Sequence, residues 1–169
     1  MRNSGKIYTK GDIIRPQYIS GESVIERSII GEGAEIYGEV HNSVIGADVT
    51  IEKGAVVRDS IIMKHSRIGA GSQIDKSIIA ESVEVGENVV TGVGEEAPNV
   101  LKPAVYGFGL VTIAENSVIP SGVKIGKNTA ISGETTAEDY PDGELVSGGA
   151  IVKKDGEQYE SIRNYSGRR

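Results

Sequence analysis

The unit Ile30-Gly31-Glu32-Gly33-Ala34-Glu35 is followed by Ile45-Gly46-Ala47-Asp48-Val49-Thr50 and Ile68-Gly69-Ala70-Gly71-Ser72-Gln73, and the same rule returns at Ile125-Gly126-Lys127-Asn128-Thr129-Ala130. Each unit begins with a branched anchor and a glycine, and carries a small or branched residue four places after the anchor. A period of six fits neither the 3.6-residue turn of an α-helix nor a plain two-residue strand alternation. It fits a short strand and a turn that repeat, and therefore predicts a stack of coils.

Every third unit is one residue shorter and ends with a serine before a branched residue. These closures are Ser28-Ile29, Ser43-Val44, Ser60-Ile61 and Ser77-Ile78, and they are separated by 15, 17 and 17 residues. The spacing predicts coils with three sides of six, six and five residues, and one coil that loses two residues around Tyr37-Gly38-Glu39-Val40. The serines should align in a column whose hydroxyls satisfy backbone groups at one corner.

The branched anchors predict the core. They are Ile13, Ile19, Ile25, Ile30, Ile36, Ile45, Ile51, Val57, Ile62, Ile68, Ile74, Ile79 and Val85. Each would point inward, and successive coils would pair as parallel strands about 4.8 Å apart. A Val/Ile-rich β-sandwich is the alternative, but chance would not keep so many anchors in register. We therefore expect an all-β fold, a single-stranded parallel β-helix of about six coils.

The repeat is interrupted once and then stops. It lapses after Val90 and resumes with anchors at Ile113, Ile119, Ile125 and Ile131, and Pro98 and Pro103 lie in the gap. We predict a lead-in or cap over residues 1–18, a β-helix over 19–137 with a loop insertion at 91–112, and a polar, partly disordered C-terminal extension over 138–169. A loop of this length is either a functional or interaction element or an inert excursion, and both readings stay open.

Composition excludes several classes of protein. The net charge of -6 argues against nucleic-acid binding, which calls for a basic surface. The absence of cysteine excludes disulfides and thiolate metal sites. No apolar run approaches the roughly 20 residues that cross a membrane, and the N-terminus lacks a signal-peptide core. We expect a cytoplasmic protein that binds neither nucleic acid nor membrane.

Catalytic chemistry finds little support in the sequence. A zinc enzyme of β-helical shape would need three histidines, and the chain has only His41 and His65. An acyltransferase would use one histidine as a general base, but neither has an orienting acid at an obvious spacing. The glycines of Gly69-Ala70-Gly71 read as corner residues, since no helix with a lysine follows them. We predict no catalytic residue, no metal and no cofactor.

Four basic residues, Arg58, Lys64, Arg67 and Lys76, fall in two adjacent coils. Such residues could form a surface site for an anion, because charge-assisted donors suit phosphate groups. They could equally be solvated charges on the outside of a repeat. Val56 and Ile61 fall at outward positions, which favours side-by-side packing of copies over exposure to solvent.

The opening segments Ile7-Tyr8-Thr9-Lys10 and Pro16-Gln17-Tyr18-Ile19 resemble the start of the C-terminal domain of bacterial ADP-glucose pyrophosphorylases, also called glucose-1-phosphate adenylyltransferases. The phrases Glu35-Ile36-Tyr37-Gly38-Glu39-Val40-His41-Asn42-Ser43-Val44-Ile45 and Gly54-Ala55-Val56-Val57-Arg58-Asp59-Ser60-Ile61-Ile62-Met63 are similar to it as well. The resemblance covers about residues 7–90 and includes the shortened coil. It also implies the hand of the predicted helix, a left-handed parallel β-helix.

The resemblance implies a regulatory role. In that family a separate domain joins glucose 1-phosphate to ATP, giving ADP-glucose for glycogen synthesis, and the β-helix forms oligomers and helps to build sites for sugar-phosphate effectors. The glycine-rich loop and catalytic acids of the catalytic domain are absent from this chain. The implied partners are further copies of the chain, a nucleotidyltransferase domain or subunit, and a sugar-phosphate effector at Arg58, Arg67 or Lys76. An acyltransferase using acetyl-CoA, or a scaffold without a ligand, are the alternatives.

Overall fold

The computed structural model describes residues 15–153 and the backbone of residues 160–162. The chain winds through successive coils, and each complete coil gives one strand to each of three parallel sheets. The strands of the six complete coils are β1 Tyr18–Ile19, β2 Val24–Glu26, β3 Ile29–Ile30; β4 Glu35–Ile36, β5 Glu39–His41, β6 Val44–Ile45; β7 Thr50–Ile51, β8 Val56–Arg58, β9 Ile61–Ile62; β10 Arg67–Ile68, β11 Gln73–Asp75, β12 Ser77–Ile79; β13 Glu84–Val85, β14 Val90–Val93, β15 Val111–Ile113; β16 Val118–Ile119, β17 Lys124–Gly126, β18 Thr129–Ser132. The predicted three-sided β-helix is confirmed.

We call the three faces sheet A, sheet B and sheet C, formed by the first, second and third strand of each coil. After the sixth coil come a 3-10 helix at Ala137–Asp139 and the strands β19 Glu144–Leu145 and β20 Ala150–Val152. The strand β19 extends sheet B and β20 extends sheet C, both in parallel. The last described strand, β21 Glu160–Ile162, pairs with β20 in the antiparallel direction.

The predicted anchors form the core. In sheet A, Ile36, Ile51 and Ile68 stack in register and are all fully buried. β-Branched residues suit this arrangement because they pack well on a pleated surface with one identical neighbour above and one below. The first coil has no described coil above it, so its inward residue Ile19 remains 42% exposed.

The serine column is also present, and it satisfies the backbone as predicted. The Ser43 hydroxyl donates to the carbonyl of His41 at 2.7 Å and accepts from the amide of Ser60 at 3.1 Å. One coil later, the Ser60 hydroxyl donates to the carbonyl of Arg58 at 2.6 Å and accepts from the amide of Ser77 at 3.0 Å. Each serine therefore ties its own turn to the next coil.

The shortened coil lies where the spacing predicts it. Glu35 pairs with Thr50, 15 residues later, whereas Thr50 pairs with Arg67 at the usual 17. Only residues 37 and 38 separate β4 from β5, compared with four residues between β7 and β8. The ring of Tyr37 packs on that of Tyr18 at a centroid distance of 5.5 Å and covers the tightened corner.

The insertion is narrower than predicted. The strand β14 continues to Val93 and β15 begins at Val111, so the chain leaves the helix only for residues 94–110 rather than 91–112. Thr91 occupies an inward position that carries isoleucine in neighbouring coils, and it is 2% exposed. Its hydroxyl is satisfied by the amide of Asp75 at 2.8 Å and the Ser77 hydroxyl at 2.8 Å, which allows a polar residue in the core.

The prediction that the β-helix ends at residue 137 is wrong. The pairing of β18 with β20 carries the parallel stack to Val152, within the segment predicted as an extension. This last coil is longer, because Lys124 pairs with Glu144 20 residues later, and the 3-10 helix takes the place of a strand on sheet A. Most of the predicted lead-in, residues 1–14, and residues 154–159 and 163–169 of the predicted extension lie outside the described residues.

Two corners flank sheet C, and both use left-handed backbone conformations. The corner between sheets B and C holds Asn42, Asp59 and Lys76 at φ of 47°, 48° and 42°. The corner between sheets C and A holds Asp48 and His65 at φ of 52° and 60°. Asparagine and aspartate tolerate this region better than other side chains, which explains the polar corners. Within the described part of the chain, no helix is long and apolar enough to cross a membrane.

Candidate functional site

The three predicted effector residues do not form one cluster. Arg58 ends β8 on sheet B, and Lys76 follows at the corner between sheets B and C, where its amide donates to the carbonyl of Arg58 at 3.2 Å. Arg67 lies in β10 on sheet A, a different face of the helix. The backbones of Arg58 and Lys76 are therefore neighbours in successive coils, whereas Arg67 lies on another face.

Arg67 already has a partner. Its Nε and Nη2 atoms donate to one carboxylate oxygen of Glu52, at 3.1 and 2.9 Å. The side chain is 59% exposed, so the pair is a surface ion pair that adds little to stability. Glu52 occupies the Nε and Nη2 edge of the guanidinium, so an anion would compete with this carboxylate at that edge.

His41 has two acid partners, which sequence reasoning missed. Its Nδ1 lies 3.1 Å from a carboxylate oxygen of Glu26 in the preceding coil, and its Nε2 lies 3.2 Å from a carboxylate oxygen of Glu39. Glu39 is two residues away on the same strand, so both side chains project from the outer face of sheet B. The alternation of the strand could have revealed Glu39, but only the register of the coils reveals Glu26.

This arrangement argues against a catalytic role for His41. Both ring nitrogens contact carboxylates, so neither is free to accept a proton from a substrate hydroxyl, as a general base must. His65 lies at the corner between sheets C and A, with its side chain 53% exposed and its Nδ1 3.8 Å from Asp48. It is a solvated corner residue.

No group of three or more metal-ligating side chains comes together in the described ranges 15–153 and 160–162.

The insertion is fixed to the helix by two buried asparagines. Asn99 is 2% exposed, and its Nδ2 donates to the carbonyls of Asn128 at 2.8 Å and Gly149 at 3.2 Å. Its Oδ1 accepts from the amides of Leu101 at 2.9 Å and Lys102 at 3.1 Å. One side chain therefore anchors the insertion to two successive coils and shapes the turn that follows.

Asn128 makes the reciprocal set of contacts from the helix. It sits at the corner between sheets B and C with a φ of 55°, and it is 4% exposed. Its Nδ2 donates to the carbonyl of Ala97 at 2.9 Å and to Glu96 at 3.2 Å, and its Oδ1 accepts from the amide of Gly109 at 2.7 Å. The insertion is thus held at both of its ends by one corner residue.

A groove opens between the insertion and sheet B. It has a volume of about 780 Å³ and is lined in part by Val90, Val93 and Val146, with Lys124 and Glu144 on adjacent strands. A smaller depression of about 580 Å³ lies within the insertion itself, beside Pro103 and Tyr106. Neither contains a histidine, so neither presents the general base of an acyltransferase.

The outer surface of the insertion is apolar. Phe108 is 92% exposed at a φ of 61°, and Val105 is 64% exposed. Large apolar side chains grouped on a loop that is otherwise tied down are typical of contact surfaces.

Comparison with known proteins identifies the class of protein first. Residues 17–113 match the family model described as "GlmU-like, C-terminal hexapeptide", which is more than half of the chain. The chain belongs to this family. A solved structure with a similar fold is that of a hexapeptide transferase family protein from Anaplasma phagocytophilum, at 12% identity and a TM-score of 0.49, covering 87% of this chain and 78% of that one.

Within this class, the chain is similar to the C-terminal part of glucose-1-phosphate adenylyltransferases. It is 64% identical over 148 residues to the protein of Lachnospira eligens and 43% identical over 148 residues to that of Acetivibrio thermocellus. Both alignments cover 88% of this chain and 35% of the relative. The chain spans about a third of the length of the curated relatives it matches. The resemblance found in the sequence is confirmed.

Proposed function

We propose that this chain is the oligomerisation and regulatory β-helix module of a glucose-1-phosphate adenylyltransferase, and that it has no catalytic activity by itself. The observation that carries the proposal is the 64% identity over 88% of the chain to one third of the Lachnospira eligens enzyme. One structural feature supports it: both ring nitrogens of His41 contact carboxylates.

The module would act on a nucleotidyltransferase domain or subunit that joins glucose 1-phosphate to ATP. The ADP-glucose formed would be used for glycogen synthesis. Its rigid stack is suited to holding copies of such an enzyme in fixed relative positions, because each coil contacts only its neighbours and the rod deforms little. A cytoplasmic location is part of the same proposal and stays a prediction.

A sugar-phosphate effector would bind at Arg58 and Lys76. Both side chains are exposed, the two backbones are hydrogen-bonded at 3.2 Å, and charge-assisted donors suit a phosphate. Arg67 is the weaker member of the predicted set, because Glu52 occupies its guanidinium on another face. The site would be weak in the isolated chain if the catalytic domain supplied an opposite wall.

A chimera tests the proposed function. The part of the Lachnospira eligens enzyme that aligns with this chain is replaced by this chain, and synthesis of ADP-glucose from ATP and glucose 1-phosphate is measured. We expect activity and oligomeric state to be kept in the chimera, whereas deletion of the same part should impair both. The isolated chain should produce no ADP-glucose and should transfer no acetyl group from acetyl-CoA to sugars. A chimera that folds but behaves like the deletion would refute the proposed role.

Acetyl transfer that disappears in His41→Ala or His65→Ala would instead favour the acyltransferase. A substitution of Arg58 provides a matched control for His41→Ala, because the two residues are register neighbours on the same face.

A further inference from the structure

Sheet C carries an exposed apolar ridge along its first four coils. The outward residues Ile29, Val44, Ile61 and Ile78 are successive register partners. The first three are 67%, 41% and 42% exposed, so the residues that the structure describes leave the ridge largely uncovered. The next partner in the column is Thr112, where the ridge ends. A continuous apolar row of this kind on a flat face indicates a contact surface.

Two columns of corner residues border this ridge. On one side, at the corner between sheets B and C, the column is Arg27, Asn42, Asp59 and Lys76. On the other side, five residues later in each coil, the column is Glu32, Ala47, Lys64 and Glu81. Side chains touch along both columns: the Asn42 Nδ2 donates to Asp59 at 2.6 Å, and the Lys64 Nζ lies 3.2 Å from Glu81.

The two columns carry opposite charges, coil by coil. Reading down the first column, the signs are positive, neutral, negative and positive; reading down the second, they are negative, neutral, positive and negative. Among the described residues, neither Arg27 nor Lys76 forms an ion pair. Lys64 pairs with Glu81 along its own column. The stacking of coils within one chain does not require the two columns to carry opposite charges.

We propose that sheet C is a self-association surface, on which a second copy of the chain packs with its helix axis parallel to the first, about a two-fold axis that runs along the rods. This inference rests on the self-association in the proposed function and specifies its face and symmetry. The two-fold axis brings the ridges side by side and places the first column of each copy opposite the second column of its partner. Arg27 then faces a glutamate at position 32, Asp59 faces a lysine at position 64, and Lys76 faces a glutamate at position 81.

The charges exclude the antiparallel arrangement of the same faces. In that arrangement each column faces its own reversed copy, so that Arg27 would meet the lysine at position 76 and Glu32 would meet the glutamate at position 81. Like charges in these positions repel each other, and electrostatic complementarity is a main source of orientation in such interfaces. Only the parallel pairing is complementary in all three charged coils.

The size of the surface sets the expected affinity. Four coils spaced at about 4.8 Å extend over only about 15 Å along the axis. A ridge this short covers less surface than the roughly 800 Å² per partner that stable complexes bury. We therefore expect a dimer of micromolar affinity in the isolated chain.

Charge reversal tests the face and the symmetry together. Sedimentation equilibrium is measured for the full chain, for Arg27→Glu, for Glu32→Arg and for an equimolar mixture of the two variants. Each variant alone should associate about tenfold more weakly or worse, because two attractive contacts per dimer become repulsive. The mixture should associate like the unmodified chain, because each reversed charge then faces a charge of the opposite sign on the partner. These positions are chosen because no effector contact is proposed for them.

A matched pair of ridge variants tests the apolar contact. Ile61→Lys should abolish the dimer, and Val24→Lys should leave it intact, since Val24 is equally exposed at 41% but lies on sheet B. Circular dichroism should give the same melting temperature for both, as both side chains point outward.

Three results would overturn the inference. Stronger association of Arg27→Glu would establish the antiparallel arrangement, and an unchanged dimer in Ile61→Lys would place the interface on another face. A monomer at all concentrations, with Ile61→Lys impairing only the chimeric enzyme, would show that another domain covers sheet C. In each of these cases the chimera still decides the proposed function separately.

Discussion

The Asn99 amide donates to the backbone carbonyl of Asn128 at 2.8 Å, and both side chains are almost fully buried between the insertion and the helix. The donors and acceptors of the two amides are paired with backbone groups or with Glu96. Such a fully satisfied polar network in a buried site is rigid, whereas a partly satisfied one is costly. The insertion is therefore tied to the helix at several points and forms part of the fold.

Removing the Asn99 amide should release the insertion. We expect Asn99→Ala to lower the free energy of unfolding by about 1–3 kcal/mol, because buried backbone carbonyls lose their donors. Hydrogen exchange should rise in residues 97–110 and stay low in the coils. Asn116→Ala is the matched control: Asn116 also lies at a corner, at a φ of 56°, but it is exposed, and its side-chain amide donates to Glu134 rather than to a backbone carbonyl. Equal exchange in both variants would show that the network does not hold the insertion.

The core could be predicted from the sequence because it depends on one local rule. An isoleucine every six residues determines the inward column, and the serines before branched residues mark the corner at which each coil closes. Both features repeat within each coil, so neither requires knowledge of distant residues. The shortened coil at Tyr37 was predictable for the same reason.

The parts that could not be predicted depend on contacts between distant segments. Asn99 and Gly149 are 50 residues apart, and no periodic pattern links them. The seventh coil was missed because it has 20 residues instead of 17, and its anchors Leu145 and Ile151 follow a polar stretch. The acid partner of His41 in the preceding coil, Glu26, likewise becomes visible only through register.

The column of sheet A provides a test of the register. Ile68 is fully buried between Ile51 and Val85. Ile68→Ala should lower the free energy of unfolding by about 2–5 kcal/mol, through lost burial and the cavity left behind. Ile68→Asp should prevent folding, because the charge would have no partner.

Val24→Ala is the control for Ile68→Ala, since Val24 points outward and is 41% exposed. Chemical denaturation should find its stability within about 0.5 kcal/mol of the unmodified chain. A soluble Ile68→Asp variant that melts like the parent would contradict the register.

Tyr37 should titrate later than an ordinary tyrosine. Partial burial raises the pKa of its phenol, and the hydrogen bond to the Glu35 carboxylate at 3.2 Å raises this pKa further. Because the pKa of Tyr37 is higher in the folded chain than in the unfolded chain, this residue contributes to stability below about pH 10. The contribution is lost as the pH rises through the folded-state pKa.

Ultraviolet absorbance of the phenolate measures the titration of Tyr37 directly. The titration of the folded chain should contain one component above pH 10 that disappears in Tyr37→Phe, and Glu35→Gln should move it towards the ordinary value. Tyr106→Phe should leave the component in place. A late component that persists in Tyr37→Phe would assign it to another tyrosine.

Arg58 and Lys76 should account for effector binding, and Arg67 should not. The first two are exposed neighbours at one corner, whereas the Arg67 guanidinium is occupied by Glu52 on sheet A. Calorimetric titration with fructose 1,6-bisphosphate should detect binding to the chimeric enzyme, and weaker binding to the isolated chain. This binding should be lost in the Arg58→Ala/Lys76→Ala double variant, since a phosphate forms its strongest hydrogen bonds with charged donors. Arg67→Ala should bind as well as the parent. Loss of binding in Arg67→Ala with normal binding in the double variant would move the effector site to sheet A, and would show that the ion pair with Glu52 opens to admit the phosphate.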